Sequence, residues 1–411
     1  MKERIIRISA EICRLFVGIV FVFSGLVKTI DPAGGSIKIE EYLDHFGLDF
    51  IQNFSILIAF NLCVFEFCLG VCLLLGAYRR YTTFFINLFM WVMTPLTLYL
   101  ALFDPVSDCG CFGDAFIISN WETFIKNLFL LAASCVVFKY HKRLFRLYTI
   151  KTIWFIPFFA YAYGLTFAWI NYNYLPLVDF RPYKVGANIP ELMSIPIGAP
   201  VDEYDYSFIY EKDCVKKEFS LDDLPTEDTT WVYVDSKTKL LKKGYTPLIS
   251  SFQLFNKKGE DVSESLLADT TDVYLLIMPD AAKADESNID RISDLYDYAT
   301  DHRKKFYAVI GSSDESFQEW TDYTGAEYTY LKADEVMLKT IIRSNPGLIS
   351  IKNGVILHKW HNNALPKVDE LTSKREEAED FIYYIFSFAV PLLLVLIYDL
   401  IRNRRIKRNQ N

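Results

Sequence analysis

The chain has 411 residues, a formal net charge of −8 and a hydrophobic share of 52%, which is above the usual range for a soluble globular protein. The charge is segregated, because residues 173–380 hold 24 basic and 38 acidic side chains while the rest of the chain has a net charge of +6. Phosphate binding needs a basic face, so this acidic segment excludes nucleic acid as an expected partner.

Six stretches of the sequence are mostly apolar over roughly 20 residues, the length that crosses the hydrocarbon core of a bilayer. They cover about 11–30, 54–77, 82–103, 121–139, 151–172 and 381–401. We therefore predict a multi-pass membrane protein with the lipid bilayer around six helices and a soluble segment between the fifth and the sixth.

Basic residues gather in the segments that six crossings would place on one side of the membrane. They precede the first span, form the pair Arg79-Arg80 after the second, and recur after the fourth and the sixth. The alternate segments are acidic or poor in lysine and arginine. The positive-inside rule then predicts that both termini are cytoplasmic and that residues about 173–380 are periplasmic, in the inner membrane of a bacterium.

The first four spans carry several small motifs of a known kind. These are the segment Phe21–Lys28, the residues Glu66, Gly70 and Gly76, the loop Cys109-Gly-Cys-Phe-Gly113, and Asn127 followed by leucine. With these motifs, residues 1–145 resemble the DoxX- and MauE-like families of four-helix membrane proteins. MauE is associated with disulfide handling during maturation of a cysteine-rich amine dehydrogenase, and DoxX-type proteins with quinone-coupled and sulfur chemistry. The resemblance implies a redox role and names quinone as the one candidate cofactor.

Two of the eight cysteines, Cys109 and Cys111, lie on a predicted external loop. A disulfide across one glycine closes a small, strained ring, and strain makes such a bond labile and oxidising. We therefore take Cys109 and Cys111 as a candidate redox pair. Two alternatives stay open: one of them pairs with Cys214, the only cysteine of the soluble segment, or both stay reduced. No set of Cys and His has zinc spacing, so no metal site is predicted.

Glu66 is a carboxylate inside a predicted span. Such a group is costly in a bilayer and normally faces the bundle interior beside a partner. The polar candidates are Lys28, Asn61, Asn87 and Asn127. We predict an intramembrane polar site of Glu66, Lys28 and Asn127, which serves either proton- or quinone-linked chemistry or the packing of the helices.

The soluble segment has a regular pattern from about residue 250. A buried strand at 272–278, a helix at 284–302, a strand at 306–310, helices at 316–323 and 335–343, and a hairpin of 347–351 and 355–359 follow in order. This order resembles the thioredoxin fold, in its TlpA-like branch, over about 250–362, with Pro346 at the cis-proline position. Thioredoxins carry Cys-x-x-Cys after the first buried strand. Residues 279–285 hold no cysteine, so the domain is predicted to bind rather than to exchange thiols.

The predicted fold class is thus a membrane α-helical protein, a four-helix DoxX/MauE-like bundle plus two further spans, with an extracytoplasmic α/β thioredoxin-like domain. Its parts are residues 1–145 for the bundle, 146–174 for the fifth span, 175–378 for the extracytoplasmic domain, and 379–411 for the sixth span and basic tail.

Two functions fit this organisation. The first is thiol–disulfide or quinone-linked redox homeostasis at the cell envelope, which would make the protein a membrane thiol–disulfide/quinone oxidoreductase. The second is a non-enzymatic membrane-anchored scaffold or maturation factor whose domain binds an envelope protein. Transport is weakly supported, since charges in the spans are sparse and no inverted repeat is evident. The sequence does not indicate an oligomeric state.

Overall fold

The computed structural model describes residues 2–106, 108–212, 215–224, 230–242, 244–371 and 377–408. The prediction that Cys214 pairs with Cys109 or Cys111 lies outside these residues. The helices are α1 (Lys2–Ile30), α2 (Pro32–His45), α3 (Ser55–Leu75), α4 (Arg79–Phe103), α5 (Asn120–Lys139), α6 (Phe155–Asn173), α7 (Ile189–Met193), α8 (Ser263–Leu267), α9 (Ile289–Asp301), α10 (Asp314–Thr324), α11 (Glu335–Ile341) and α12 (Glu377–Arg408). The strands are β1 (Glu203–Lys212), β2 (Val215–Ser220), β3 (Val232–Lys242), β4 (Val273–Met278), β5 (Lys305–Ile310), β6 (Tyr330–Lys332), β7 (Gly347–Lys352) and β8 (Val355–His361).

Within the described residues, five helical regions are long and apolar enough to cross a membrane. They are Lys2–Ile30, Asp49–Leu75, Arg79–Phe103, Asn120–Lys139 and Ile382–Arg404. These regions confirm the prediction of a multi-pass membrane protein. Helix α6, the predicted fifth span, has 19 residues and packs on α3 and α12, but tyrosine and asparagine lower its hydropathy below that of the five. Its crossing of the bilayer stays a prediction.

Helices α1 and α3 approach each other closely because glycine lies at their contact. A Cβ atom added at Gly25 would lie 2.4 Å from the backbone nitrogen of Phe67, and one at Gly70 would lie 2.5 Å from that of Val22. Any larger residue at either position would push the helices apart, whereas small residues let helix backbones touch in a membrane. This close contact brings the last turn of α1 beside the middle of α3.

The basic segments of the chain meet at one end of the helical bundle. Arg143 forms an ion pair with Glu3, and Arg79 donates hydrogen bonds to backbone carbonyls of the segment that follows α5. At the same end, Thr149 donates to the carboxylate of Asp399 in α12. The opposite end carries the loop 104–119 and the soluble domain.

Helix α2 was not predicted, since the sequence indicated only a loop from Asp31 to Asn53. Asp31 caps the helix by accepting a hydrogen bond from the Gly34 N–H, and Pro32 occupies its first turn. Ser36 and Glu40 hydrogen-bond to Ser55 at the start of α3. The helix therefore lies across the end of the bundle and covers the loop 104–119.

The main part of the soluble domain is a five-stranded sheet in the order β6-β5-β4-β7-β8. Strands β4, β5 and β6 are parallel, and β7 and β8 are antiparallel to their neighbours. Leu275 and Ile277 of β4 enter one hydrophobic core, while Leu276 and Met278 enter the core on the other face. A strand buried on both faces has a continuous run of apolar residues, and this run is why β4 could be predicted from the sequence.

The predicted strands, helices and hairpin of 272–359 agree with the structure except for two details. Helix α9 begins at Ile289 rather than near 284, and the short edge strand β6 was not predicted. Ahead of this sheet, β1, β2 and β3 form a separate three-stranded antiparallel sheet in the order β2-β1-β3. The peptide bond between Asn345 and Pro346 is cis.

Candidate functional site around Cys109 and Cys111

The two candidate redox cysteines lie side by side in the loop between α4 and α5. Their sulfur atoms are 2.9 Å apart, the residues are 8% and 9% exposed, and neither is in a disulfide. Gly110 between them has a φ of +64°, which a glycine adopts without strain. The Cys109 carbonyl accepts a hydrogen bond from Tyr42 of α2, and the Cys111 carbonyl accepts one from Ser24 of α1.

Lys28 is the partner of Glu66. Its ammonium nitrogen lies 2.7 Å from a Glu66 carboxylate oxygen, and the two side chains are 15% and 6% exposed. Of the other candidates, Asn61 binds the Leu57 carbonyl and the Tyr161 hydroxyl, and Asn87 binds Ser134. The ion pair therefore joins α1 to α3 inside the bundle.

A small cavity of about 20 Å³ connects the predicted groups. Its lining includes Lys28, Glu66, Asn127 and Cys111, together with Lys126. Asn127 also donates to the Thr97 hydroxyl. The structure thus brings the intramembrane polar site and one cysteine of the pair together. The apolar cluster that contains both cysteines packs against Tyr42 and Tyr99. A volume of this size holds about one water molecule.

The two thiols have different electrostatic surroundings. The hydrogen bond between the two sulfurs lowers the pKa of the Cys111 thiol, against the opposing effect of burial, and the positive charges of Lys126 and Lys28 lower it further. The same hydrogen bond, together with burial, raises the pKa of the Cys109 thiol. The geometry therefore favours one thiol and one thiolate in the reduced pair.

Lys126 was not predicted as a site residue, although it lies within the fourth predicted span. Its ammonium nitrogen lies 4.1 Å from the centre of the Phe112 ring, in a cation–π contact. In the sequence, the one signal that could have identified Lys126 was its position next to Asn127, a predicted site residue.

Sequence reasoning also missed Arg343, which joins the soluble domain to the site. Its guanidinium lies 3.0 Å from the Asp31 carboxylate and 3.1 Å from that of Asp114, and its side chain is 10% exposed. Asp114 follows the Cys109–Cys111 pair in the loop, and Pro346 lies three residues after Arg343. The cis-proline end of the soluble domain therefore lies against α2 and the cysteine loop.

A buried ion cluster stabilises α11, the helix that ends two residues before Arg343. Asp179 accepts hydrogen bonds from Arg181 and Lys359, and Arg181 also donates to the backbone carbonyl of Thr340 in α11. Burial, with a contribution from the charge of Arg181, lowers the pKa of Lys359 to about 8. The position of α11 is thus fixed by contacts that are independent of the membrane helices.

No metal centre competes with this site in the part of the chain that the structure describes. No group of three or more His, Cys, Asp or Glu side chains could hold a metal ion there.

Comparison with known families identifies the part of the chain that holds the site. Residues 6–140 match the family of the methylamine utilisation protein MauE. The membrane part of this chain is MauE-like. The MauE-like region spans α1 to α5 and contains Lys28, Glu66, Asn127 and both cysteines of the loop.

Residues 204–243, which include β1 to β3, match a domain of unknown function, DUF8463. The three-stranded sheet of the soluble part is thus a recognised unit of its own. No curated protein matches the chain.

Proposed function

We propose that this MauE-like protein is a thiol–disulfide oxidoreductase of the cell envelope, with Cys109 and Cys111 as its redox pair. The observation that carries the proposal is the contact between two adjacent sulfur atoms and a buried cavity lined by charged groups. Thiol exchange needs a stabilised thiolate next to a second thiol, and this loop supplies both.

The exchange is reversible, and its electrons pass only between the cysteine pair and the partner proteins. A thiolate of the pair attacks one sulfur of a partner's disulfide, that S–S bond breaks, and the released sulfur takes up a proton. The second thiol of the pair then loses its proton and displaces the partner. The partner gains two electrons and two protons, and Cys109 and Cys111 become a disulfide. A dithiol of another envelope protein reduces this bond by the reverse sequence.

Quinone, which the DoxX resemblance suggests as a cofactor, does not fit the site. The cavity beside Cys111 has a volume of about 20 Å³. That space accommodates about one water and not a six-membered ring with its substituents. The proposed reaction therefore uses only protein thiols and disulfides.

We propose that the soluble domain is thioredoxin-like and has a docking role. The mixed five-stranded sheet, the helices on both of its faces and the cis bond before Pro346 support this assignment. Asp280–Lys283 stand where thioredoxins carry their two cysteines. Without thiols, the domain presents a partner or controls access to the membrane pair.

The basic end of the bundle is proposed to face the cytoplasm, and the soluble domain the bacterial periplasm. Six crossings place both termini in the cytoplasm, and the acidic soluble domain lies at the end opposite the basic segments. The periplasm is a compartment in which thiol–disulfide exchange proceeds.

A second candidate function is a non-enzymatic maturation factor that binds an envelope protein. The burial of both cysteines favours it, because a partner's thiol does not reach them in this conformation. The pair would then help to hold the loop in place.

Replacing both cysteines, C109S/C111S, distinguishes the two functions. In the double variant, we expect the redox state of the envelope thiols and of the protein's substrates to differ from that in wild type, since the pair is the proposed site of exchange. Differential alkylation with mass spectrometry measures that state. The control is Cys135→Ser, which removes an exposed thiol at a distance from the site. An unchanged thiol pool in C109S/C111S would favour the maturation factor.

A further inference from the structure

We propose that Cys111 is the nucleophile of the pair and that Lys126 is a positioning residue that holds its thiolate. This inference deepens the proposed function and rests on it. It assigns different roles to two cysteines that the sequence presents as equivalent.

The first observation is the charge balance around the cavity. Lys28 and Lys126 contribute two positive charges, and Glu66 contributes one negative charge. Glu66 is already engaged by Lys28 at 2.7 Å. Lys126 forms no ion pair in the part of the chain that the structure describes, although it lies beside a buried sulfur. A thiolate at Cys111 would complete the balance, since a buried charge needs a compensating partner.

The second observation is the asymmetry of the two sulfur environments. Both sulfurs belong to a cluster with Leu100 and Val106, but Cys111 also lines the cavity that holds the charged groups. The charge of Lys28 acts on both sulfurs, whereas the second cation, Lys126, lines the cavity with Cys111. The charged and titratable groups around the pair are Lys28 from α1, Lys38 and Tyr42 from α2, Glu66 from α3, Tyr99 from α4, Lys126 from α5, and Asp108 of the loop. Helix α4 also contributes Phe89, Met90 and Met93 to the cavity.

The contact between Lys126 and Phe112 fixes the lysine in this place. A lysine near the end of a membrane span commonly extends its ammonium group toward the water interface. Here the ammonium lies over the ring of the residue that follows Cys111. Loop and lysine are thus held together by the same contact.

These roles define the order of bond changes. Cys111 attacks the partner's disulfide and forms the mixed disulfide, and Cys109 then resolves it. In the reverse direction the partner's thiolate attacks Cys111 and displaces Cys109. The partner's second thiolate then releases Cys111 as the stabilised thiolate, because the sulfur of lower pKa leaves faster.

The test is the pH dependence of alkylation of each thiol in the full-length protein in reduced native membranes. Iodoacetamide is applied at a series of pH values, and fragment-ion mass spectrometry assigns the label to Cys109 or Cys111. Opening of the loop exposes both thiols alike, so the difference between them reports thiolate character. We expect Cys111 to react at least ~10-fold faster than Cys109 at neutral pH.

Lys126→Met should raise the pH midpoint of Cys111 labelling by about one unit, which is roughly a 10-fold slower reaction at pH values below both midpoints. Lys126→Arg should restore the wild-type midpoint, because it keeps the charge. Lys139→Met, at the opposite end of α5, is the matched control. A faster Cys109, or the same midpoint in Lys126→Met and wild type, would overturn the inference. These readouts do not depend on a partner, so they stand apart from the C109S/C111S test of the proposed function.

Discussion

Replacing Glu66 with alanine is expected to destabilise the membrane domain by about 3–5 kcal/mol, the cost of removing one partner of a buried ion pair. The Lys28 ammonium loses an oxygen 2.7 Å away, and its side chain is only 15% exposed. Lys126 lines the same cavity, so the variant also leaves Lys28 beside a second positive charge. The expected result is a large fall in the free energy of unfolding of the purified protein, measured by denaturant titration in mild detergent.

The double variant K28M/E66M is the control for this prediction. Removing both charges and filling the space with methionine is often close to neutral in stability, since no charge is left unpaired. We therefore expect the double variant to recover most of the stability lost in Glu66→Ala. Equal stability of Glu66→Ala and wild type would show that water or lipid head groups solvate Lys28, and the ion pair would not hold α1 to α3.

The soluble sheet could be predicted because its signals are local. The run 272–278 is buried on both faces, and the turn of the hairpin β7–β8 has φ of +49° at Asn353 and +73° at Gly354. Asn-Gly favours two successive positive φ values in a two-residue turn. A short stretch of sequence was therefore sufficient to identify each of these elements.

The polar site could be predicted in part. A carboxylate in a span requires a partner, which reduced the choice for Glu66 to four side chains, and the structure selects Lys28. The choice among them depends on the glycine contact of α1 with α3, and this contact depends on the packing of two helices. Whether Cys109 and Cys111 are redox active stays a prediction.

The remaining features depend on contacts between distant parts of the chain. Arg343 forms an ion pair with Asp31, which lies 312 positions away in the sequence, and no local pattern predicts such a pair. Helix α2 is only weakly apolar, and its position across the cysteine loop follows from Tyr42 and Ser36 contacts that exist only in the folded protein. These contacts join the soluble domain to the membrane site.

Replacing Arg343 with alanine is expected to release the soluble domain from the cysteine loop. One guanidinium bridges two carboxylates, Asp31 and Asp114, and the variant leaves both facing each other. Burial raises the pKa of Asp114 while the charge of Arg343 lowers it, so loss of the arginine further disfavours the ionised carboxylate. Truncating one member of a buried, hydrogen-bonded charge pair costs about 2–5 kcal/mol. A loss of that size increases the fraction of molecules in which the soluble domain is released from the cysteine loop by at least ~10-fold.

The measurement is the rate at which a bulky maleimide labels Cys109 and Cys111 in intact membranes, together with hydrogen exchange of α2. We expect both thiols to react faster by the same factor in Arg343→Ala, since access changes and thiolate character does not. Lys339→Ala is the matched control, because Lys339 forms an ion pair with Glu335 within α11, the helix that precedes Arg343. The labelling rate of Arg343→Lys should fall between those of Arg343→Ala and Lys339→Ala, since an ammonium does not bridge both carboxylates as a guanidinium fork does. Labelling and exchange that equal those of wild type would contradict the idea that the soluble domain covers the redox pair.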